Sequence, residues 1–320
     1  VWYLARPAPI PEKIEYGITF SKPFAEKLGL DWKALYSAIL DELGVKKIRL
    51  AAYWDEIEIR EGDYNFDDLV WQVEAAEKRN AEIILAVGRK LPRWPECHVP
   101  DWLNNQKPIT KNQESDKEYR QQKLLDYIER TVEEFKKFKS LKMWQVENEP
   151  FLPFGECPEF DKEFLEKEIE LVRTIDPQHP ILLTDSGEFG RWLQAIKRAD
   201  VFGTTMYFQV YNKVVGYFRY PIGPGFFRAK SRLADLLAGK KPKLIIEFQM
   251  EPWNKEQIYE TSIEEQLSMF PESDFEKRIE FVKKTGFDNV YLWGAEWWYW
   301  MGQKHNQWGF WNKAKVLFQM

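Results

Sequence analysis

Two carboxylates stand where a charge is costly unless something uses it. Glu247 follows Leu244, Ile245 and Ile246, an apolar run that reads as a strand. Glu149 closes the run Trp144-Gln145-Val146-Glu147-Asn148, just ahead of a proline that ends the strand. A charged group at the end of an apolar strand is unfavourable unless it is paired or does work. Two such groups on different strands can face each other across one bond. One then gives a proton to a leaving oxygen while the other attacks the carbon. The reading is Glu149 as acid/base and Glu247 as nucleophile. The bland alternative for Glu149 is a loop carboxylate at the surface. Glu251 is the main rival to Glu247, and Glu296 the second.

The neighbours of these two residues suit the same chemistry. Arg49 interrupts an apolar strand in which Ile48 and Leu50 are expected to face outward, so it should point inward and pair with Glu247. A purely structural ion pair with Glu147 is the alternative. Tyr207 is expected to hydrogen-bond Glu247, or else to pack in the core. Asn148 is expected to bond the 2-hydroxyl of a sugar, or else to cap a turn. Trp293 should floor a cleft, while Trp54, Trp94 and Trp253 lie in loops as candidate stacking platforms. Carboxylates, amides and aromatic faces together suit a carbohydrate: rings stack on the C–H face of a pyranose and polar groups bond its hydroxyls. Glu251 and Glu296 complete the expected substrate-binding set.

Something must bring these residues to one place. Short β-branched runs alternate with helical patterns eight times. Strands are expected over 15–21, 46–54, 81–88, 141–150, 180–187, 201–208, 243–250 and 289–297. Helices are expected over 31–43, 66–79, 116–138, 161–175, 190–199, 228–238, 274–285 and 312–318. Asp31 and Asn65 read as N-caps, Ser273 with Glu276 as a capping box, and Gly44 and Gly286 as stops. Eight strand–helix pairs predict an α/β chain closed into a (β/α)8 TIM barrel over 15–320, with 1–14 as an extended lead-in. The first turn, Ser21-Lys22-Pro23-Phe24, lacks the glycines of a dinucleotide-binding sheet. Active sites of such barrels lie at the C-terminal ends of the strands, where the residues named above fall.

These residues carry a resemblance. Trp-Gln-Val-Glu-Asn-Glu-Pro (144–150) looks like the strand-four signature of the clan A glycoside hydrolases, whose Asn-Glu pair supplies the acid/base. Leu-Ile-Ile-Glu-Phe-Gln (244–249) resembles the strand-seven signature holding their nucleophile. Arg49, Tyr207 and Trp293 fall where that clan places supporting residues. The segment from Trp54 to Phe66 is similar to the strand-two loop of the cellulase-like and β-galactosidase-like families. The chain departs from the cellulase-like family five pattern after strand three (Gly88-Arg89) and on strand six (Thr205-Met206-Tyr207), where histidines are usual. The resemblance covers about residues 15 to 320. It implies a glycosidase that cleaves β-linked oligo- or polysaccharide with retention, through a covalent intermediate.

Bulk properties narrow the field. A net charge of −5 argues against nucleic acid as a partner. No apolar run approaches the roughly 18 residues of a membrane span. Three histidines without ligand spacing speak against a metal, and no cofactor is expected. Strands six and seven carry no interior lysine for Schiff-base chemistry. Cys97 and Cys157 read equally as a disulfide between loops or as two free thiols. Pro-Ala-Pro-Ile-Pro at 7–11 and a first residue other than Met suggest a trimmed leader or anchor, hence an extracellular or cell-surface protein, expected as a monomer. A non-catalytic carbohydrate-binding barrel would keep the aromatics without needing both glutamates. A transglycosylase would share the carboxylates and differ in its acceptor.

Overall fold

The computed structural model describes residues 11–104, 113–212 and 215–319. The proline-rich segment expected at 7–11 lies almost wholly outside them. Ten strands are described: β1 (Glu15–Thr19), β2 (Lys47–Ala51), β3 (Glu82–Val87), β4 (Leu141–Val146), β5 (Ile181–Asp185), β6 (Val201–Met206), β7 (Gln209–Asn212), β8 (Gly216–Arg219), β9 (Lys243–Gln249) and β10 (Asn289–Trp293). Eight close into a parallel barrel in the order β1-β10-β9-β6-β5-β4-β3-β2. The remaining pair, β7 and β8, forms an antiparallel hairpin that follows β6 and was not anticipated. The chain is a (β/α)8 TIM barrel with helices between its strands.

Helix starts follow side-chain chemistry. The Asp31 carboxylate accepts from the Lys33 and Ala34 amides at 2.9 and 3.1 Å, starting the helix Trp32–Asp41. The helix Asp67–Glu77 begins one residue later than expected, with Phe66 and not Asn65 at the N-cap, although Asn65 Oδ1 still accepts from the Asp67 amide at 2.9 Å. The capping box at Ser273 is not formed, because Ser273 already has helical dihedrals and makes no cap bond.

The expected last strand, 289–297, stops at Trp293. Gly294 takes φ 137°, and a Cβ there would lie 2.8 Å from the Met250 carbonyl, so the chain turns sharply. Glu296, Trp297 and Trp298 therefore sit on a helix, Ala295–His305, that the aromatic composition disguised as a strand. Trp297 and Trp298 pack in the core behind the barrel.

Apolar side chains fill two main compartments, beside a small cluster of Tyr53, Ala86 and Leu91. The larger lies between strands and helices and takes Ile48, Leu50, Trp144, Val146, Ile245 and Phe248. The smaller, inside the barrel, consists of Ile84, Leu182, Leu244, Ile246 and Tyr291 and plugs it below the polar mouth. Each such buried side chain contributes roughly 1.5–3 kcal/mol.

One irregularity sets the site. Against β6, Thr204 pairs with Ile245 but Thr205 pairs with Glu247. Against β10, Val290 pairs with Ile245 but Leu292 with Phe248. Both neighbours see one extra residue in β9. Strict alternation would turn Glu247 outward after inward-facing Ile246; the bulge lets both face the interior.

Candidate active site

Glu247 receives two donors inside the mouth. Arg49 Nη1 donates to its Oε1 at 2.6 Å and the Tyr207 hydroxyl to its Oε2 at 2.8 Å. Arg49 is fully buried. Its other nitrogens donate to Asn148 Oδ1 at 2.7 Å and Gln145 Oε1 at 2.8 Å, so one planar guanidinium fixes β2, β4 and β9 together. Burial, and then the Glu247 carboxylate, push the Tyr207 phenol well above its usual value, so it remains a donor.

Glu149 stands on a contorted strand end. Glu147 and Glu149 both take left-handed φ, 57° and 43°, each at a cost of about 1–3 kcal/mol. Hydrogen bonds offset it. The Glu147 carboxylate accepts from the Arg89 and Lys90 amides at 2.9 and 2.7 Å, and the Glu149 amide donates to Thr184 Oγ1 at 2.8 Å. Glu147 thus ties β4 to the loop after β3 and does not pair with Arg49. The Thr205 hydroxyl donates to Glu149 Oε1 at 3.1 Å. Burial pushes the Glu149 carboxyl well above its usual range, the Glu247 charge pushes it further, and Glu96 adds to both.

The loop after β3 contributes more than its tryptophans. Glu96 is buried, accepts from Asn148 Nδ2 at 3.3 Å, and is pushed up to about 8 by burial and the Glu247 charge. The neighbouring Cys97 forms a disulfide with Cys157 of the loop after β4, Cα atoms 5.2 Å apart. Arg93 bridges Glu251 and Glu296 and lies over the Trp293 ring, 4.1 Å from its centroid. Trp293 Nε1 donates to Glu251 Oε1 at 2.7 Å. Farther round the mouth, Glu188 accepts from the Tyr207 amide at 2.7 Å.

Two expected contact residues lie elsewhere. Trp54 is buried, stacked on Tyr127 and bonded to Glu58, because the residues after β2 form a short helix, Trp54–Ile57, that turns its ring into the core. Glu296 is fully buried under Arg93 and the Ser21 amide, since its helix carries it below the rim. Glu251 is occupied by Arg93 and Trp293. By contrast, Trp94 (45% exposed), Phe154, Trp253 and Tyr207 form a chain of ring contacts, 6.2, 5.9 and 5.2 Å between centroids, ending at the residue that bonds Glu247.

Sequence reasoning missed Glu96, Arg93, Glu188, Lys90 and Thr205. Glu96 had a legible signal, a lone acid between Pro95 and Cys97. Lys90 had none; its ammonium holds the Glu149 and Leu152 carbonyls at 3.0 and 2.6 Å, contacts made across 59 and 62 residues.

Known proteins resemble this chain in fold and, over part of its length, in sequence. A family model described as beta-galactosidase, of glycoside hydrolase family 42, matches residues 31–166, a span that holds Arg49, Asn148 and Glu149. The exo-β-1,4-mannosidase of Opitutaceae bacterium strain TAV5 is similar over 88% of this chain and 52% of its own, with a TM-score of 0.58 at 16% identity. The shared feature is the barrel fold, in which this chain is similar to glycoside hydrolases. Two further structures share the fold. The β-galactosidase of the haloarchaeon Halorubrum lacusprofundi is 14% identical, with a TM-score of 0.56 over 88% of this chain and 52% of its own. Xylanase 10B from Thermotoga petrophila RKU-1, in complex with xylobiose, is 19% identical, with a TM-score of 0.56 over 88% and 82%. The chain spans about half the length of the first two. No curated protein sequence matches it significantly. Among the described residues, no helix is long and apolar enough to cross a membrane.

Proposed function

We propose that this chain is a retaining glycoside hydrolase acting on β-linked sugars, with Glu149 as acid/base and Glu247 as nucleophile. The observation that carries the reading is a pair of buried carboxyls at the ends of β4 and β9, Glu247 held by Arg49 and Tyr207 and Glu149 by Thr205, with Glu149 raised first by burial and then by the Glu247 charge. A protonated Glu149 is what a general acid must be near neutral pH. Glu247, its two oxygens held by Arg49 and Tyr207, is presented as an oriented carboxylate.

In the first step Glu149 gives its proton to the glycosidic oxygen as the bond from that oxygen to the anomeric carbon breaks. A Glu247 lone pair forms the new bond to that carbon, giving a glycosyl ester. Loss of the Glu247 charge lets Glu149 remain a carboxylate until it takes a proton from water. The water oxygen then bonds to the anomeric carbon and Glu247 leaves as a carboxylate. Two displacements return the original configuration. The ring chain from Trp94 to Tyr207 supplies faces for sugar stacking along the approach.

The disulfide supports a working place in an oxidising, extracellular or cell-surface environment. The test is a hydrolysis screen over aryl β-glycosides, β-glucans and β-mannans, with the first-formed anomer followed by NMR. A β-anomer formed first is expected. An α-anomer formed first, or no turnover of any member, overturns the reading.

A further inference from the structure

Asn148 has its oxygen fully committed. Oδ1 accepts from Arg49 Nη2 at 2.7 Å, Gln145 Nε2 at 3.2 Å and Thr184 Oγ1 at 3.4 Å. That fixes the amide's orientation and leaves Nδ2 as its working end, a donor only. A sugar hydroxyl carries a proton of its own as well as lone pairs, so an amide nitrogen satisfies just one side of it. The other side needs an acceptor.

Glu96 is built into that position. Its Oε2 lies 3.3 Å from Asn148 Nδ2. Its backbone is pinned: the amide donates to the Arg93 carbonyl at 2.8 Å, and its carbonyl accepts from the Leu91 amide at 2.7 Å. It adopts φ 73°, which an L-residue holds only when its surroundings demand it, and the next residue is tied to the loop after β4. A buried carboxyl set beside two others is unfavourable for stability alone, and pairing with the Asn148 amide does not explain why it is an acid.

We propose that Glu96 is a substrate-contact residue that brackets one sugar hydroxyl together with Asn148, the amide donating to it and the carboxyl accepting from it. Asn148 and Glu247 are held by the same guanidinium, so on the glycosidase reading a hydroxyl at Asn148 Nδ2 lies beside the carbon that Glu247 attacks, which makes it the hydroxyl on the neighbouring carbon. The substrate class is accordingly sugars with a free hydroxyl there, as opposed to 2-deoxy sugars. Held near neutrality by burial, Glu96 adds no third charge beside Glu149 and Glu247 and still accepts through its carbonyl oxygen. The inference rests on the glycosidase reading above.

The test compares kcat/KM on the 4-nitrophenyl β-glycoside that the chain turns over fastest with its 2-deoxy counterpart. Glu96→Met keeps the length and removes the acceptor; Glu96→Gln keeps an acceptor oxygen. Glu96→Met should lose at least tenfold on the parent and little on the 2-deoxy substrate, shrinking the discrimination by the same factor, with Glu96→Gln restoring most of it. Glu96→Ala carries the same expectation if Glu96→Met does not fold. Equal losses on both substrates, or none on either, overturn the proposal while the loss of activity in Glu247→Gln keeps the glycosidase reading standing. A chain inactive on every glycoside removes both.

Discussion

Arg49 and Glu247 meet at 2.6 Å inside the barrel, with side chains 0% and 4% exposed. Removing one partner of such a pair leaves the other charge buried and uncompensated. Arg49→Met is expected to lower stability by about 3–5 kcal/mol and to abolish turnover, read by denaturant melts and initial rates. Arg49→Lys keeps the charge but not the fork to Gln145 and Asn148, so it should recover more stability than activity. Equal recovery of both would mean that the fork is not needed for positioning.

The raised carboxyls set two pH dependences. In the proposed mechanism Glu149 must be protonated to act as the acid, so kcat/KM should fall as pH rises through its elevated folded value. Stability has its own sign. Between its ordinary value of 4.5 and about 8, the Glu96 carboxyl keeps a proton in the folded chain that the unfolded chain has released. The folded state then binds more protons, so stability falls with rising pH across that window. Glu96→Gln should flatten this slope. Melting temperatures recorded from pH 4.5 to 8 decide it, and an unchanged slope would place the titration on another group.

The disulfide closes a loop across 60 residues. On chain-entropy grounds it is worth roughly 4 kcal/mol, before any strain. Cys97→Ser with Cys157→Ser should lower stability by up to that amount. It should also lower kcat/KM, because Glu96 is bonded directly to Cys97. Unfolding curves with and without reductant, beside rates on an aryl glycoside, measure both effects.

Trp94 is exposed at the outer end of the ring chain and touches no catalytic carboxylate. Trp94→Ala should raise KM severalfold for an oligosaccharide with kcat nearly unchanged, and leave a short aryl glycoside unaffected. A fall in kcat on both substrates would show that the ring supports the mouth and is not a sugar platform.

The barrel was legible because its signals are local: apolar runs, an N-cap at Asp31, and stops at glycines. Arg49 was legible for the same reason, one charge with apolar neighbours on either side. The β9 bulge was not, because a bulge is a relation between neighbouring strands and leaves no mark in Leu244-Ile245-Ile246. Trp54 and Glu296 were expected at the mouth and are buried instead. A short helix after β2 and a glycine after β10 rotated them from the mouth into the interior. Glu96 and Arg93 belong to a loop whose course is set by Cys157 and Glu251, 60 and 158 residues away, so no local pattern could orient them.

The central claim is that Glu247 bonds to the anomeric carbon. A 2,4-dinitrophenyl 2-deoxy-2-fluoro-β-glycoside of the preferred sugar should trap that intermediate, because fluorine slows its hydrolysis while the good leaving group allows it to form. Intact-protein mass spectrometry should then show one added fluoroglycosyl group, and peptide mapping should place it on Glu247. A label on Glu251, Glu149 or any other residue would contradict the account.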